Sequence, residues 1–435
     1  MKKVRVKAPK QRIECCIDLP ASKSISNRAL VLQAFYPNSS ISNLSTADDT
    51  LLMQEALKCK SGNIRIKNAG TCMRFLTAYF ASQEGKKVNL LCDERMKLRP
   101  IKTLVDALRQ LGADITYIEK EGFPPLSIQG KKLIGKPIRL DASESSQYIT
   151  ALMLIAPQIE NGLEIILEGE IASKDYIDMT AKLMCEFGLN VCFENNIISI
   201  PNQSIRQIVN QQISIEPDWS SAAFWYQIAA LSQDASITLN KLSIDTMQGD
   251  NIIAQLLSDI VETKSLVNEI IISSIFNSQH SAFNIHLQNQ PDLVPALVVT
   301  LAALGFEAKL TGLQNLKIKE SNRLQSLHDE LNKLGFNIKM DEENLEIRNT
   351  EKANPSTPLR VTELVTQSFD IQHINTSAHQ YIKTYNDHRM AMAFAPLALV
   401  FGEVIIENPD VVEKSYPHYW DDLKKAGFGL EFFEV

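Results

Sequence analysis

The chain has 435 residues, of which 45% are hydrophobic and 22% charged, and this composition predicts a folded protein of two or three domains. A net charge of −7 argues against a general nucleic-acid binder, and no stretch is apolar enough to predict a signal peptide or a membrane span. The seven cysteines, none in a CxxC spacing, favour free thiols in a reducing cytoplasm over a disulfide framework or a zinc site.

Six runs with helical apolar periodicity each open with a hydroxyl or carboxylate residue, the residue types that favour helix N-termini. In chain order these predicted starts are Ser24, Thr71, Ser146, Ser220, Asp292 and Asp387. The three intervals between Thr71 and Asp292 are each about 74 residues long, which indicates an internal repeat. The first interval is shorter and the last is longer. The pattern therefore predicts six α/β units, split three and three.

Glycines close several of these predicted helices. Gly112, Gly188 and Gly335 each follow a helix-like run and precede a segment with the pattern of a β-hairpin, and Gly427 repeats this context near the end. Gly305 has the same surroundings but breaks the spacing. Glycine is favoured just after a helix because it adopts left-handed backbone angles without strain. Each unit is therefore expected to contain a helix that leads into strands.

Two segments share the features of an anion site. In residues 19–28 a predicted strand leads into a serine-rich helix start, with Ser24 and Arg28 on one face. In the second segment a tight glycine turn precedes Thr71 and, one helical turn later, Arg74. Free N–H groups, a hydroxyl and a cation at a helix start together favour an anionic ligand. Each segment is also compatible with a simple helix cap beside surface charges.

Four further polar clusters stand at predicted loop-to-helix junctions. Residues 145–147 and 173–176 offer the small polar groups that a phosphorylated, polyhydroxylated ligand requires, although helix capping explains them equally well. In residues 317–323, Glu320 lies between two cations; such a carboxylate stays ionised and transfers a proton only when partly desolvated. A salt-bridged helix face is the alternative there. Residues 385–389 open an apolar helix, and their histidine is interpreted as structural rather than as a base.

The segment from Gly130 to Lys136 has the glycine and lysine spacing of a phosphate-binding P-loop. Pro137 follows it where the magnesium-binding Ser or Thr belongs, and the neighbouring residues favour strands. We therefore reject nucleotide hydrolysis at this segment.

Taken in order, these segments resemble the EPSP synthase (3-phosphoshikimate 1-carboxyvinyltransferase) family, and the resemblance covers nearly the whole chain. The matching strings are SKSISNRA, NAGTCMR, RMKLRPI, SSQYITALM, SKDYID, TMQGD, PDLVP, IKESNRL, YNDHRMAM and EKSYPHYWDDL. The resemblance implies a two-domain inside-out α/β barrel, built from six βαβαββ-type repeats, three per domain. It places the first, discontinuous domain at residues 1–19 and 218–435. The second, with shikimate 3-phosphate contacts, is placed at 20–217.

The family's reaction transfers the enolpyruvyl group of phosphoenolpyruvate to the 5-hydroxyl of shikimate 3-phosphate and releases phosphate, in the shikimate pathway to chorismate and the aromatic amino acids. The resemblance implies these two small-molecule substrates, with no metal, no cofactor, no nucleic acid and no membrane. We expect a cytoplasmic monomer. Because both substrates are anionic, an acidic protein that binds them must concentrate Lys and Arg locally.

The resemblance also assigns roles to individual residues, by position in the matching strings. The implied catalytic residues are Asp292, Glu320 and Lys23. The implied contacts to shikimate 3-phosphate are Lys23, Ser24, Arg28, Ser145, Ser146, Gln147, Ser173, Tyr176, Asp292, Asn315 and Lys319. The implied contacts to phosphoenolpyruvate are Lys23, Asn68, Gly70, Thr71, Arg99, Gln147, Arg323, Arg389 and Lys414. Which carboxylate performs which proton transfer stays open.

Two departures from the family pattern carry expectations of their own. The segment between Asp49 and Asn68 is shorter than usual, so one repeat is predicted to be truncated. Phe75 stands where the family usually has a proline, and we expect an altered affinity for the family inhibitor glyphosate.

Two other functions stay open at this point. UDP-N-acetylglucosamine enolpyruvyltransferase shares the fold and the donor, but the SKSISNR and NDHR strings favour the shikimate enzyme, and the rival's cysteine-bearing loop has no equivalent here. A catalytically inactive anion-binding relative would keep the arginines and serines but could dispense with Asp292 and Glu320.

Overall fold

The computed structural model describes residues 2–203, 211–275, 282–348 and 380–434, which include every predicted site residue. The strands are β1 Lys2–Lys7, β2 Ile13–Asp18, β3 Ser40–Ser42, β4 Ser61–Arg65, β5 Lys87–Leu91, β6 Asp114–Tyr117, β7 Leu126–Gln129, β8 Ile138–Asp141, β9 Leu163–Glu168, β10 Cys192–Glu194, β11 Ile197–Ile200, β12 Gln212–Ser214, β13 Ala235–Asn240, β14 Val261–Leu266, β15 Glu269–Ser274, β16 Ala282–His286, β17 Glu307–Thr311, β18 Asn337–Met340, β19 Leu345–Arg348, β20 Tyr381–Ile382, β21 Glu403–Glu407 and β22 Gly429–Glu434. The helices are α1 Lys23–Phe35, α2 Asp48–Lys58, α3 Gly70–Ala81, α4 Lys102–Gln110, α5 Ser146–Ile155, α6 Lys174–Glu186, α7 Trp219–Leu231, α8 Ile253–Leu256, α9 Val294–Ala303, α10 Arg323–Lys333, α11 His388–Phe394, α12 Ala398–Phe401 and α13 Tyr419–Lys425.

The chain divides into two compact units. Unit 1 consists of Met1–Pro20, Pro217–Thr246 and Asp250–Val435, and unit 2 consists of Ala21–Glu216 and Met247–Gly249. Each unit has its own hydrophobic core. Within the described ranges, no helix is both long and apolar enough to cross a membrane.

In unit 2, two successive segments have the same topology. Strands β4 and β5 are parallel and joined through α3, and the antiparallel strands β7 and β6 follow α4, giving the spatial order β4-β5-β7-β6. Strands β8 to β11, with α5 and α6, repeat this βαβαββ pattern in the order β10-β11-β9-β8. The register is set by burial: Leu90 pairs with Ile64 and Leu126, and all three side chains are buried.

In unit 1, strands β16 to β19 with α9 and α10 form a third copy of this pattern. The two other sheets of unit 1 have the orders β14-β15-β13-β2 and β20-β21-β1-β22, and each incorporates a strand from the N-terminus of the chain. The sixth sheet, in unit 2, contains only β3 and β12 among the described residues, where the other sheets have four strands. The predicted six-unit architecture with one truncated repeat is therefore confirmed.

The first helix of each repeat lies in the interior. Helices α1, α3 and α5 pack on one another in unit 2, and α7, α9 and α11 do so in unit 1. Every residue of α7 is buried, and so is every residue of α9, because these helices are apolar on all sides. The second helix of a repeat is amphipathic: α4 buries Leu104, Val105, Ala107 and Leu108 and exposes its charged side. Helices inside and sheets outside give the predicted inside-out arrangement.

The local signals located the elements closely. All six predicted helix starts fall within two residues of an observed N-terminus, but Ser145 and Asp218 cap α5 and α7 where Ser146 and Ser220 were predicted. The glycines that follow helices have positive φ angles, including Gly305, whose spacing is irregular. Lys136 precedes strand β8 rather than a helix, so the P-loop spacing is coincidental.

Candidate active site

Direct contacts gather several helix N-termini of unit 2. The Lys23 ammonium of α1 lies 3.4 Å from Oδ2 of Asp49 in the first turn of α2. The Cys72 thiol of α3 donates to the backbone oxygen of Asp49 at 3.0 Å. Nε2 of Gln147 in α5 donates to Oγ1 of Thr71 in α3 at 3.2 Å. Unit 2 therefore brings together helix ends whose N–H groups and positive dipoles favour an anion.

Arg28 is a buried cation whose hydrogen bonds all go to neutral oxygens. Its Nε donates to Oγ1 of Thr180 at 2.8 Å, and its Nη1 and Nη2 donate to the backbone oxygens of Ser24 and Tyr176 at 2.7 and 3.4 Å. No carboxylate of the described residues forms an ion pair with it. Burial lowers the pKa of Arg28 to about 10, so it stays charged at neutral pH. An anionic ligand would supply the missing opposite charge.

Two further guanidinium groups converge on the start of α3. Nη1 of Arg74 donates to the backbone oxygen of Gly70 at 3.1 Å, and its Nη2 donates to that of Pro100 at 3.1 Å. A Cβ atom on Gly70 would lie 2.5 Å from Nη1 of Arg99 and 2.7 Å from Nη1 of Arg74. Both arginines are buried. The glycine lets both cations approach the helix N-terminus, and a Cβ at this position would displace them.

The other predicted residues of unit 2 lie at the starts of α5 and α6. Ser145 caps α5 by accepting from the backbone N–H of Gln147 at 3.3 Å, and Ser146 is buried. Ser173 is buried and has a left-handed backbone with φ of 55°, directly before α6. Tyr176 lies in the first turn of α6. The capping interpretation therefore holds for Ser145, whereas the Ser173 side chain does not cap α6.

Arg323 is the centre of an ion-pair network in unit 1. Its Nε donates to Oδ2 of Asp387 at 2.7 Å, its Nη1 to Oδ1 of Asp292 at 2.8 Å and its Nη2 to Oε2 of Glu320 at 2.7 Å. The hydroxyl of Ser321 also donates to Asp387, at 3.2 Å. Burial acts to lower the pKa of Arg323, but the three carboxylates raise it above its usual value. Arg323 thus fixes the positions of three acidic side chains.

Asp292 is shared between two arginines. Besides Arg323, Arg389 binds it, with Nη2 donating to Oδ2 at 2.8 Å and Nη1 to the backbone oxygen at 3.2 Å. Burial acts to raise the pKa of Asp292, but the charges of Arg389, Lys319 and Arg323 hold it well below its usual value. Asp292 is therefore ionised, and it becomes a stronger base only when one of these cations is drawn to another anion.

Glu320 has a second cation beside it, because the Lys414 ammonium lies 3.4 Å from its Oε1. Lys414 ends the 3₁₀ turn Pro409–Lys414, and Asn315 lies in the 3₁₀ turn Gln314–Ile318, just before Lys319. The ends of these two turns place Lys414 beside Glu320, and Lys319 close enough for its charge to act on Asp292.

Asp250 is a functional candidate that sequence analysis missed. The hydroxyl of Ser220 donates to its Oδ2, and no cation of the described residues forms an ion pair with this buried carboxyl. Burial chiefly, and then the charge of Asp292, raise the pKa of Asp250 to about 7, while the Ser220 hydrogen bond and Arg389 oppose the rise. Its signal was present in the string TMQGD, which was used only as a family marker.

Asp387 and Arg74 were also left out of the predicted site. Asp387 was interpreted as a helix start, and it does cap α11 by accepting from the backbone N–H of Arg389 at 3.0 Å. Its contacts to Arg323 add a second role that no local pattern indicates. Arg74 was recognised only as a cation one turn into α3.

The predicted residues thus fall into two clusters. Unit 2 contains Lys23, Ser24, Arg28, Asn68, Gly70, Thr71, Arg99, Ser145, Ser146, Gln147, Ser173 and Tyr176. Unit 1 contains Asp292, Asn315, Lys319, Glu320, Arg323, Arg389 and Lys414. Repeated α/β units with buried cations and ion-paired carboxylates contain the groups that an enzyme needs for acid–base chemistry on anionic substrates.

Comparison with known proteins identifies the family. A model of the EPSP synthase (3-phosphoshikimate 1-carboxyvinyltransferase) family matches residues 58–423. A 3-phosphoshikimate 1-carboxyvinyltransferase of Bacteroides fragilis (strain YCH46) is 42% identical, with 98% of both chains covered. One of Histophilus somni (strain 2336) is 32% identical, covering 96% of this chain and 98% of the relative. An EPSP synthase structure from Acinetobacter baumannii aligns over 100% of both chains with a TM-score of 0.73 at 21% identity, which supports the fold. The chain belongs to the EPSP synthase family.

Proposed function

We propose that this protein transfers the enolpyruvyl group of phosphoenolpyruvate to the 5-hydroxyl of shikimate 3-phosphate, with release of phosphate. The observation that carries the proposal is the charge arrangement of Arg28 and Arg74, which are buried at helix N-termini and have no carboxylate partner among the described residues. Such cations are costly to bury unless an anion binds them. Both substrates named here are anions.

Shikimate 3-phosphate is proposed to bind Ser145, Ser146, Ser173 and Tyr176 at the starts of α5 and α6, next to Arg28. Backbone N–H groups and serine hydroxyls at these helix ends supply donors for phosphate oxygens. The remaining proposed contacts of this substrate are Lys23, Ser24, Gln147, Asp292, Asn315 and Lys319.

Phosphoenolpyruvate is proposed to bind where guanidinium and ammonium groups converge. The start of α3, with Gly70 between Arg74 and Arg99, supports this role because two guanidinium groups lie close to the helix N-terminus there. The other proposed contacts are Lys23, Asn68, Thr71, Gln147, Arg323, Arg389 and Lys414. Of these, Arg323, Arg389 and Lys414 hold carboxylates in the structure described, so an incoming anion competes with Asp292 and Glu320 for them.

This competition suggests how the base is activated. When the carboxylate or phosphate of phosphoenolpyruvate attracts Arg389, Asp292 loses a cation that holds its pKa low, and its affinity for a proton rises. The 5-hydroxyl oxygen then adds to C2 while C3 gains a proton, and elimination of phosphate with loss of a C3 proton gives the enolpyruvyl ether. Asp292 and Glu320 are proposed to move these protons, and Lys23 to stabilise the developing charge.

The decisive experiment measures phosphate release from phosphoenolpyruvate in EDTA, with and without shikimate 3-phosphate. We expect release that requires shikimate 3-phosphate, and a fall of at least about 100-fold in Asp292→Ala and in Glu320→Ala. Glu342→Ala is the matched control, because this glutamate is 92% exposed and pairs only with Lys317 at the surface of the same unit.

The alternatives predict other outcomes. Release with UDP-N-acetylglucosamine in place of shikimate 3-phosphate would make the acceptor wrong. Calorimetric binding of shikimate 3-phosphate without any turnover would indicate an inactive relative.

The proposal also includes the location and the oligomeric state of the protein. None of the seven cysteines, all of which lie in the described residues, forms a disulfide, which supports a reducing, cytoplasmic location. A monomer, with no cofactor, stays a prediction that light scattering and metal analysis of the purified, active protein would test.

A further inference from the structure

Phe75 of α3 lies against the Arg28 guanidinium in the core of unit 2. Its ring centroid is 5.4 Å from Cζ of Arg28, and the Tyr176 ring lies 5.7 Å from the same atom on another helix. Phe75 is 1% exposed. An aromatic face carries partial negative charge and attracts a cation within about 6 Å, most strongly where water is excluded.

The aromatic contact stabilises the buried charge of Arg28. A buried guanidinium needs electrostatic support, and within the part of the chain that the structure describes its hydrogen bonds go to one hydroxyl and two backbone oxygens. A carboxylate in this place would support the cation but would also neutralise it and compete with the substrate. An aromatic ring stabilises the cation but carries no net charge, so it does not neutralise the guanidinium. Arg28 therefore still attracts an anionic ligand.

We propose that Phe75 is a positioning residue for shikimate 3-phosphate, which acts by holding the Arg28 guanidinium charged and in place for an anionic group of that substrate. The inference rests on the proposed function of Arg28. It assigns to Phe75 a part in substrate affinity rather than in the chemical step.

The test compares Phe75→Leu with Phe80→Leu. Phe80 lies in the same helix, is fully buried, and packs at 5.1 Å on Tyr79, so the two substitutions remove equal rings from one core. We expect both variants to lose similar thermal stability. Only Phe75→Leu should raise the Kd and KM for shikimate 3-phosphate, by about 3-fold to 30-fold, the range of a desolvated cation–π contact. Its kcat and its KM for phosphoenolpyruvate should change by less than about 2-fold.

Phe75→Tyr is the conservative variant, since it keeps the ring face and should retain affinity for shikimate 3-phosphate close to the wild type. Equal losses of affinity in Phe75→Leu and Phe80→Leu, or unchanged affinity in Phe75→Leu, would overturn the inference while leaving the proposed function intact. Calorimetry with inorganic phosphate provides a second probe. A wild-type protein that binds neither shikimate 3-phosphate nor phosphate would overturn both the proposed function and the inference.

Discussion

The two clusters of charged residues differ in how their cations are balanced. In unit 2, Arg28 and Arg74 are buried against neutral oxygens and aromatic rings. In unit 1, Arg323 is bound to three carboxylates, and Arg389 is bound to Asp292. A cation without a counter-ion can attract an anionic ligand with its full charge. A cation among carboxylates instead fixes their positions and keeps them ionised. Buried arginines therefore have neutral partners in unit 2 and carboxylate partners in unit 1.

The largest expected effect comes from removing the centre of the ion-pair network. Arg323→Met leaves the buried Asp387 and the partly buried Asp292 and Glu320 without their shared cation, so the free energy of unfolding should fall by about 3–5 kcal/mol. Urea denaturation measures this change. Arg348→Met removes an arginine that is 49% exposed in a surface pair with Glu346, and it should change stability by less than about 1 kcal/mol. Equal effects of the two substitutions would show that the network does not stabilise unit 1.

The opposite result is expected for the buried arginine of unit 2. Arg28→Met removes a desolvated charge that no carboxylate balances, and Thr180 keeps its hydrogen bond to the Tyr176 backbone oxygen at 2.7 Å. Stability should therefore change by less than about 1 kcal/mol, while affinity for shikimate 3-phosphate should fall on the order of 100-fold. Calorimetry measures the change in affinity for shikimate 3-phosphate, and urea denaturation measures the change in stability. A loss of stability as large as that of Arg323→Met would remove the distinction between the clusters.

Asp250 of unit 1 is the acidic counterpart of Arg28, since it is a buried acid that no cation of the described ranges pairs with. Folding raises the pKa of its carboxyl from 3.8 to about 7, so between these pH values the folded chain holds a proton that the unfolded chain releases. Stability from this group is fully present below pH 3.8 and is lost progressively as pH rises to about 7, by on the order of 4 kcal/mol in total. Asp250→Asn should remove this slope and gain stability at pH 8. Free energies of unfolding measured from pH 5 to pH 8 check whether stability falls as pH rises. If the variant shows the same pH dependence of stability as the wild type, another group is responsible for it.

The smallest expected effect is that of a substitution at the N-terminus of α3, and it tests whether the cations there bind substrate. Gly70→Ala places a methyl group against the guanidinium ends of Arg74 and Arg99, which are side chains that can shift. Stability should change little, but KM for phosphoenolpyruvate should rise about 10-fold because the cations are displaced. Gly112→Ala is the control, a glycine with open space around its Cβ position, and it should leave KM unchanged even though its positive φ costs stability. An unaltered KM in Gly70→Ala would mean that this close approach is not used in binding.

Much of the fold could be predicted because its signals are local. Helix caps, helix-ending glycines and the repeat period located six helix starts to within two residues, and the shortened stretch before Asn68 marked the truncated unit. The site was predicted less completely. Asp387 and Arg323 are 64 residues apart in sequence and yet 2.7 Å apart in space, so no window of the sequence shows that they belong together.

Arg28 and Arg323 show which features the sequence alone does not determine. Each follows a polar residue by four positions, Ser24 and Lys319, and the two patterns predict the same kind of charged helix face. Local order determined that each arginine lies at the start of a helix, because capping and periodicity act between neighbours in the chain. Only the tertiary structure decided that one arginine meets aromatic rings and the other three carboxylates. Desolvation and Coulomb energies depend on distances in space, and these distances arise when separate repeats pack into the core of each unit.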